Sequence, residues 1–252
     1  MSTVAFFHAH PDDEAIFTGG TIALLSDAGA RVVLVFATSG EHGEVRGDLE
    51  RGESIGEHRA RETAAAAHVL GAARVEFLGY RDSGLPGDAA NDAPGAFAVA
   101  ATDEAAAQLA VLLESESVDA LVTYDAGGIY GHPDHVQVHR VGAHAARLAG
   151  VATVYQATVD REYLHFVETH LVDEAHRAAA PSMPTVGVPT VYITNEIDVR
   201  AVLDRKRAAI AAHASQVPET SSAMSLRPEA FAGVYGFEWY VREGPPGPLD
   251  EL

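Results

Sequence analysis

Cysteine is absent from this chain of 252 residues, which removes a disulfide framework, a thiolate metal site and a cysteine nucleophile together. Lysine occurs once, at Lys206, and 17 basic residues face 36 acidic ones, for a net charge of −19. Binding to nucleic acid or to an anionic membrane surface draws on clustered Lys and Arg, so neither partner is expected. No apolar run is long enough to span a bilayer, and no basic stretch leads into a long apolar segment at the N-terminus. The expectation is a soluble, cytoplasmic protein. Also missing are Gly-x-Gly-x-x-Gly after the first strand-like run and any Gly-x-x-x-x-Gly-Lys, so neither a dinucleotide nor a phosphate-loop site is expected.

What the chain does contain is apolar residue, 47% of the total, enough for one substantial core; a single α/β domain over 1–252 is the expectation. Apolar runs at 4–8, 31–38, 75–78, 120–124 and 151–159 read as strands, the second so continuous that it should be buried on both faces. Helical spacing occupies 16–28, 58–70, 102–115 and 135–149, with Gly29 and Gly71 as stops. This alternation predicts a Rossmann-like, mostly parallel sheet with helices on both faces. Ligands of such sheets sit beyond the carboxyl ends of the strands. Further on, the pattern predicts a helix over 161–179, a loop over 181–189, a strand over 190–194, a helix over 199–213 and a strand over 237–241. Residues 244–252, rich in Pro and Gly, read as a frayed tail.

Chemistry concentrates at two strand ends. The run Val4-Ala5-Phe6-Phe7-His8-Ala9-His10-Pro11-Asp12-Asp13-Glu14 is an apolar strand that delivers imidazole and three acidic groups at the next turn. Tyr130-Gly131-His132-Pro133-Asp134-His135 follows the strand at 120–124. Each cluster is His-Pro-Asp with a metal-competent side chain three residues after the His, and the repetition points to a catalytic metal site. His10, Asp13 and His135 supply two imidazoles and a carboxylate, a set suited to zinc or iron that leaves positions free for water. His8 is an alternative ligand, with a buried structural histidine as the competing reading. Asp12, beside the metal without binding it, is the candidate general base. His132 as an imidazolium would protonate a leaving amine or steady an oxyanion, and Tyr130, in a Gly-flanked loop, would donate to that oxyanion. Asp134 and Glu14 read as helix caps, first-turn carboxylates or groups that orient a ligand.

Ala9 to Glu14 together with Gly131 to His135 resembles the PIG-L/LmbE-like zinc-dependent N-deacetylases. Thr38-Ser39-Gly40-Glu41, Arg59 and Glu62 ahead of Leu70-Gly71, Gly79-Tyr80-Arg81-Asp82-Ser83-Gly84 and His213-Ala214-Ser215-Gln216 extend the resemblance to Gln216. It implies zinc, with iron(II) the alternative, on His10, Asp13 and His135. It further implies Asp12 as general base, His132 as acid or electrostatic group, Tyr130 as mobile oxyanion donor, and Arg59 and Asp82 facing the substrate. The competing readings are a helix-surface pair of Arg59 with Glu62 and a turn role for Asp82. The implied reaction removes an N-acetyl group from an N-acetylglucosamine-type amino sugar or its conjugate, a small-molecule substrate. Within the family the chain most resembles the actinobacterial mycothiol-pathway deacetylase and amidase. Two other readings stand beside this one: an amidase cleaving a larger acyl group from a mycothiol-type thiol conjugate, and a non-catalytic sugar-binding protein on the same fold. A homo-oligomer is compatible with all three.

Overall fold

A computed structural model describes residues 1–43, 49, 51–170, 186–217 and 221–252. Among the described residues, seven strands build one sheet in the order β3-β2-β1-β4-β5-β7-β6. They are β1 (Thr3–His8), β2 (Arg31–Thr38), β3 (Arg74–Tyr80), β4 (Ala120–Tyr124), β5 (Thr153–Thr158), β6 (Asn195–Asp198) and β7 (Phe237–Glu243). The first five pair in parallel, and β7 lies antiparallel between β5 and β6. The helices are α1 (Asp13–Phe17), α2 (Gly19–Asp27), α3 (Ile55–Leu70), α4 (Thr102–Ser115), α5 (Gly128–Gly131), α6 (Pro133–Ala149), α7 (Arg161–His170), α8 (Leu203–Ala212), α9 (Ser222–Ser225) and α10 (Pro228–Tyr235). Helices α2, α3 and α8 pack as one group and α4 with α6 as another. Every residue of β4 and β5 is buried, as are all but the first of β1 and β2, which requires cover on both faces of the sheet. From β1 the chain steps outward to β2 and β3, then returns to β4 on the other side of β1. The carboxyl ends of β1 and β4 therefore flank the point where strand order reverses, the crevice in which open parallel sheets hold their ligands.

Local chemistry sets the element ends. Ser54 and Glu57 form a capping box at the start of α3, and Gly71, at φ 81°, closes it. The predicted single helix over 16–28 is two helices, because Thr18 leaves helical geometry (φ −134°, ψ 4°). Its hydroxyl bonds the Glu14 carbonyl at 3.1 Å and His8 Nε2 at 3.2 Å. The second helix starts on a carboxylate: Glu238 Oε1 and Oε2 accept the amides of Gly20 and Thr21, each at 2.8 Å, as a helix N-terminus favours. Gly20 is required there, since a Cβ would stand 2.3 Å from Val199 Cβ.

The last third departs further from expectation. Thr190–Tyr192 is a 3-10 turn with Val191 and Tyr192 exposed, and the strand begins only at Asn195; strand propensity acts through packing against neighbours, which these side chains lack. The predicted helix over 199–213 is a 3-10 turn, Arg200–Val202, followed by α8. Helix α7 begins where predicted, while 171–179 of that helix and 181–185 of the predicted loop lie outside the described residues. The tail is docked rather than frayed: Leu249 is buried, and Asp250 accepts from Tyr155 Oη at 2.6 Å and Asn195 Nδ2 at 3.1 Å. Among the described residues no helix is long and apolar enough to cross a membrane.

Lys206 lies buried on α8 with Nζ 2.6 Å from Glu238 Oε1. Replacing Lys206 by Met would leave a buried carboxylate without its cation, so unfolding free energy in urea should fall by about 3 kcal/mol. An unchanged midpoint would show that the two helix amides and the Tyr240 hydroxyl, 3.3 Å from Oε2, satisfy Glu238 without the cation.

Candidate active site and metal centre

The two His-Pro-Asp clusters meet beyond β1 and β4. The first occupies the turn between β1 and α1. The second is delivered by a tight loop after β4, anchored by Asp125, whose Oδ1 accepts the amides of Gly127 at 2.8 Å and Ile129 at 3.1 Å. Asp125 Oδ2 receives the Thr158 hydroxyl at 2.6 Å, which ties the loop to β5. Ile129 takes φ 62° within this loop, and the chain then enters α6 at Pro133 with His132 as N-cap.

Asp13 Oδ2 lies 3.6 Å from His10 Nδ1 and 3.3 Å from His135 Nε2. Asp13 thus lies close to both histidines of the sequence-derived ligand trio. Two groupings of ligand-capable atoms are compact among the described residues: those of His10, His132 and His135 lie within 4.8 Å of one another, as do those of His10, Asp82, His132 and Asp134. His10 uses its second nitrogen as a ligand histidine would, with Nε2 3.1 Å from Asp134 Oδ2. Asp134 is held by Ser83, whose amide donates to Oδ2 at 2.9 Å and whose hydroxyl donates to Oδ1 at 2.5 Å. His135 Nδ1 has no hydrogen-bond partner among the described residues. Its ring is set by packing, 4.6 Å from Tyr124 and 6.2 Å from Phe17 between centroids.

His8 is structural. It is buried between Tyr124 Oη, 2.9 Å from Nδ1, and Thr18 Oγ1, 3.2 Å from Nε2, and burial lowers its pKa to about 4. His132 accepts the Asp134 amide on Nδ1 at 3.1 Å, which places its proton on Nε2. Burial, with His10 and His135 alongside, brings its pKa down to about 4, a direction that favours the neutral imidazole over the imidazolium. Tyr130 Oη lies 3.3 Å from His135 Nε2. Burial, reinforced by Asp13 and Asp12, pushes its phenol well above the ordinary range, so it carries a proton to donate.

Asp12 precedes α1 yet makes no side-chain cap to it, and its backbone sits at φ 104°. Burial pushes its carboxyl up to about 6, with Arg59 pulling the other way and Asp13 adding to the rise. Arg59 reaches Asp12 Oδ2 at 3.3 Å, donates to the Gly40 carbonyl at 2.6 Å and also bonds the Pro11 carbonyl. The competing reading, a pair with Glu62, is not what forms: Glu62 instead receives the Ser215 amide at 2.7 Å and hydroxyl at 2.6 Å. Asp82 Oδ1 lies 3.5 Å from His10 Nε2 and accepts the Gly84 amide at 2.8 Å, while Oδ2 accepts the His42 amide at 3.2 Å. Burial opposes the Asp82 charge, but His10 and those two amides hold its carboxyl below the usual range. Both Arg59 and Asp82 line a cavity of about 480 Å³ together with His10, Asp12, Asp13, Tyr130 and His132. Two groups given no definite role from sequence stand behind it: Glu14 and His213, buried and 2.6 Å apart.

Imidazole nitrogens and carboxylate oxygens converging in a mostly buried cluster form a donor set that fits a divalent ion of the zinc or iron type. A parallel sheet carrying that set, with a further carboxylate beside it at the switch point, is the layout of a metal-dependent hydrolase. The profile of the PIG-L family, described as GlcNAc-PI de-N-acetylase, matches residues 5–146. The 1D-myo-inositol 2-acetamido-2-deoxy-alpha-D-glucopyranoside deacetylase of Acidothermus cellulolyticus is 40% identical over 263 residues, covering 96% of this chain and 88% of its own. The enzyme of the same name from Thermobispora bispora is 38% identical over 270 residues, covering 97% and 89%. Among solved structures, the N,N'-diacetylchitobiose deacetylase of Pyrococcus horikoshii superposes with a TM-score of 0.59 at 23% identity, over 96% of this chain and 84% of that one. The 4-carboxy-2-hydroxymuconate hydratase of Pseudomonas putida does so with 0.59 at 18% identity, over 98% of each. These structural likenesses are of fold, and that fold carries both a deacetylase and a hydratase. The sequence kinship is specific: the chain belongs to the PIG-L family of metal-dependent deacetylases.

Proposed function

We propose that this protein removes the acetyl group from an N-acetylglucosaminyl conjugate of inositol, with zinc held by His10, Asp13 and His135. The observation that supports this most is 40% identity along 96% of the chain to a deacetylase of that substrate. Zinc fits the donor set, and iron(II) fits it too. When bound, the ion supplies Lewis-acid polarisation of the acetamide carbonyl and of the attacking water.

The remaining work falls to the chain's own groups. Asp12 takes a proton from the water as its oxygen attacks the carbonyl carbon. The Tyr130 hydroxyl and His132 Nε2–H donate to the carbonyl oxygen as it gains negative charge. As the C–N bond breaks, Asp12 returns its proton to the departing nitrogen, and acetate and free amine leave. Arg59 and Asp82 meet the sugar's polar groups along the cavity wall, Arg59 also steadying Asp12 and Asp82 also steadying His10.

A metal-replete assay of released amine tests this reading. The N-acetylglucosaminyl inositol should exceed both N-acetylglucosamine and larger-acyl thiol conjugates by at least about 10-fold in kcat/KM. Preference for the larger acyl group would make the protein an amidase. Metal bound with no amine released from any substrate would leave a sugar-binding protein.

A further inference from the structure

The turn that carries Asp12 is built in an unusual way. Aspartate before a helix ordinarily lends its carboxylate to the first amides of that helix. Asp12 does not. Its backbone carbonyl accepts the Ala15 and Ile16 amides, at 3.1 and 3.0 Å, while its φ of 104° lies in a region that side-chain-bearing residues rarely adopt. Such a conformation persists only where the surroundings over-determine it. Two contacts do so. Arg59 bonds the Pro11 carbonyl ahead of the turn. Glu14 Oε2 accepts the Asp12 amide at 3.0 Å from within the turn. Glu14 is fully buried, and its other oxygen lies 2.6 Å from Nε2 of His213, itself fully buried at the end of α8. Burying a carboxylate is costly without partners, and Glu14 has two here, the Asp12 amide on one oxygen and His213 on the other.

We infer that Glu14 and His213 are a positioning pair that fixes the strained Asp12 backbone, so that the Asp12 carboxylate is kept off α1 and available to the cavity. The inference rests on the reading of Asp12 as general base. Glu14 takes the part in the turn that Asp12 would otherwise play, and His213 fixes Glu14 from a segment far along the chain. The same segment is fastened to α3 through Ser215 and Glu62, and Arg59 reaches the turn from that helix. The placement of Asp12 is therefore set by α3 and the end of α8 together.

The test is a set of variants read in four ways: kcat, KM, bound metal, and exchange of the Asp12 amide followed by NMR on 15N-labelled protein. Glu14→Ala is expected to lower kcat by about 100-fold, with KM and metal content near wild type and with protection of the Asp12 amide lost. Glu14→Gln keeps an acceptor for that amide and should recover most of the loss. In an Asp12→Ala background, Glu14→Ala should cost nothing further, because the group it positions is gone. A loss of equal size in that background, or one carried by metal content or KM, overturns the inference. If Glu14→Ala does not fold, His213→Asn serves in its place, with an expected fall in kcat of about 10-fold that likewise vanishes in the Asp12→Ala background. Should the wild type prove inert on every amide, the general-base reading fails, and amide protection in Glu14→Ala still decides whether the pair holds the turn.

Discussion

Asp12→Asn is expected to lower kcat by about 1,000-fold, at the middle of the range for removing a general base, while metal content and substrate affinity stay close to wild type. Asparagine is the informative replacement because of the local backbone. Asn tolerates positive φ at least as well as Asp, so the turn at φ 104° should survive the change. The Arg59 contact at 3.3 Å would survive as a neutral hydrogen bond. What the substitution removes is the ability to take a proton. If Asp12 were only a turn residue, Asn would be nearly silent in every assay. A rate within a few-fold of wild type, with metal bound, would take Asp12 out of the chemistry and leave the water to be activated by another group. Residual turnover is expected, because donors to the developing oxyanion act independently of the base.

How much of this site can be read from the sequence depends on how local each contact is. His10 and Asp13 are three residues apart in one turn, and His132 and His135 in another, so their chemistry is visible as spacing. That the two turns meet follows from their shared place at strand ends, once β1 and β4 are read as neighbours. Contacts made across the fold leave no such mark. His213 and Glu14 are separated by 199 positions, and Ser83 and Asp134 by 51; each was visible as a residue, while its partner was not. Arg59 shows what spacing leaves open. Its three-residue separation from Glu62 permitted a helix pair as the competing reading, while the structure buries Arg59 and turns it toward the Asp12 loop, with Glu62 serving Ser215. Where tertiary contacts set the backbone, periodicity fails. The apolar spacing over 16–28 runs straight through Thr18, where a side-chain contact to His8 coincides with the break. At the start of α3 the signal is local but lies outside the apolar pattern: Ser54 and Glu57 have the spacing of a capping box, which moves the helix start ahead of residue 58. In the tail, Pro and Gly content pointed to fraying, but Leu249 and Asp250 fasten it to β5 and β6.

Asp13→Ala should abolish stoichiometric metal binding and reduce turnover by about 1,000-fold or more, since the Lewis acid goes with its ligand. His132→Asn should keep the metal and lower kcat by about 100-fold, the usual scale for one oxyanion donor. Measured side by side by elemental analysis, the two variants decide between the ligand groupings that the structure brings together, His10 with Asp13 and His135, or the three imidazoles of His10, His132 and His135. Metal retained in Asp13→Ala and lost in His132→Asn would assign the ion to the imidazoles. The expectation favours Asp13 on two physical grounds. His132 Nδ1 accepts the Asp134 amide at 3.1 Å, so Nε2 bears the proton and has no lone pair for a metal. For Nε2 to bind, the proton would have to move to Nδ1, where it would face the Asp134 N–H donor to donor. Charge gives the second ground. A carboxylate in the set offsets half of a divalent ion's charge within a buried cluster, whereas three neutral imidazoles leave all of it for more distant carboxylates to balance. Asp13 meets both conditions, with Oδ2 already between the two histidines it would join around the ion.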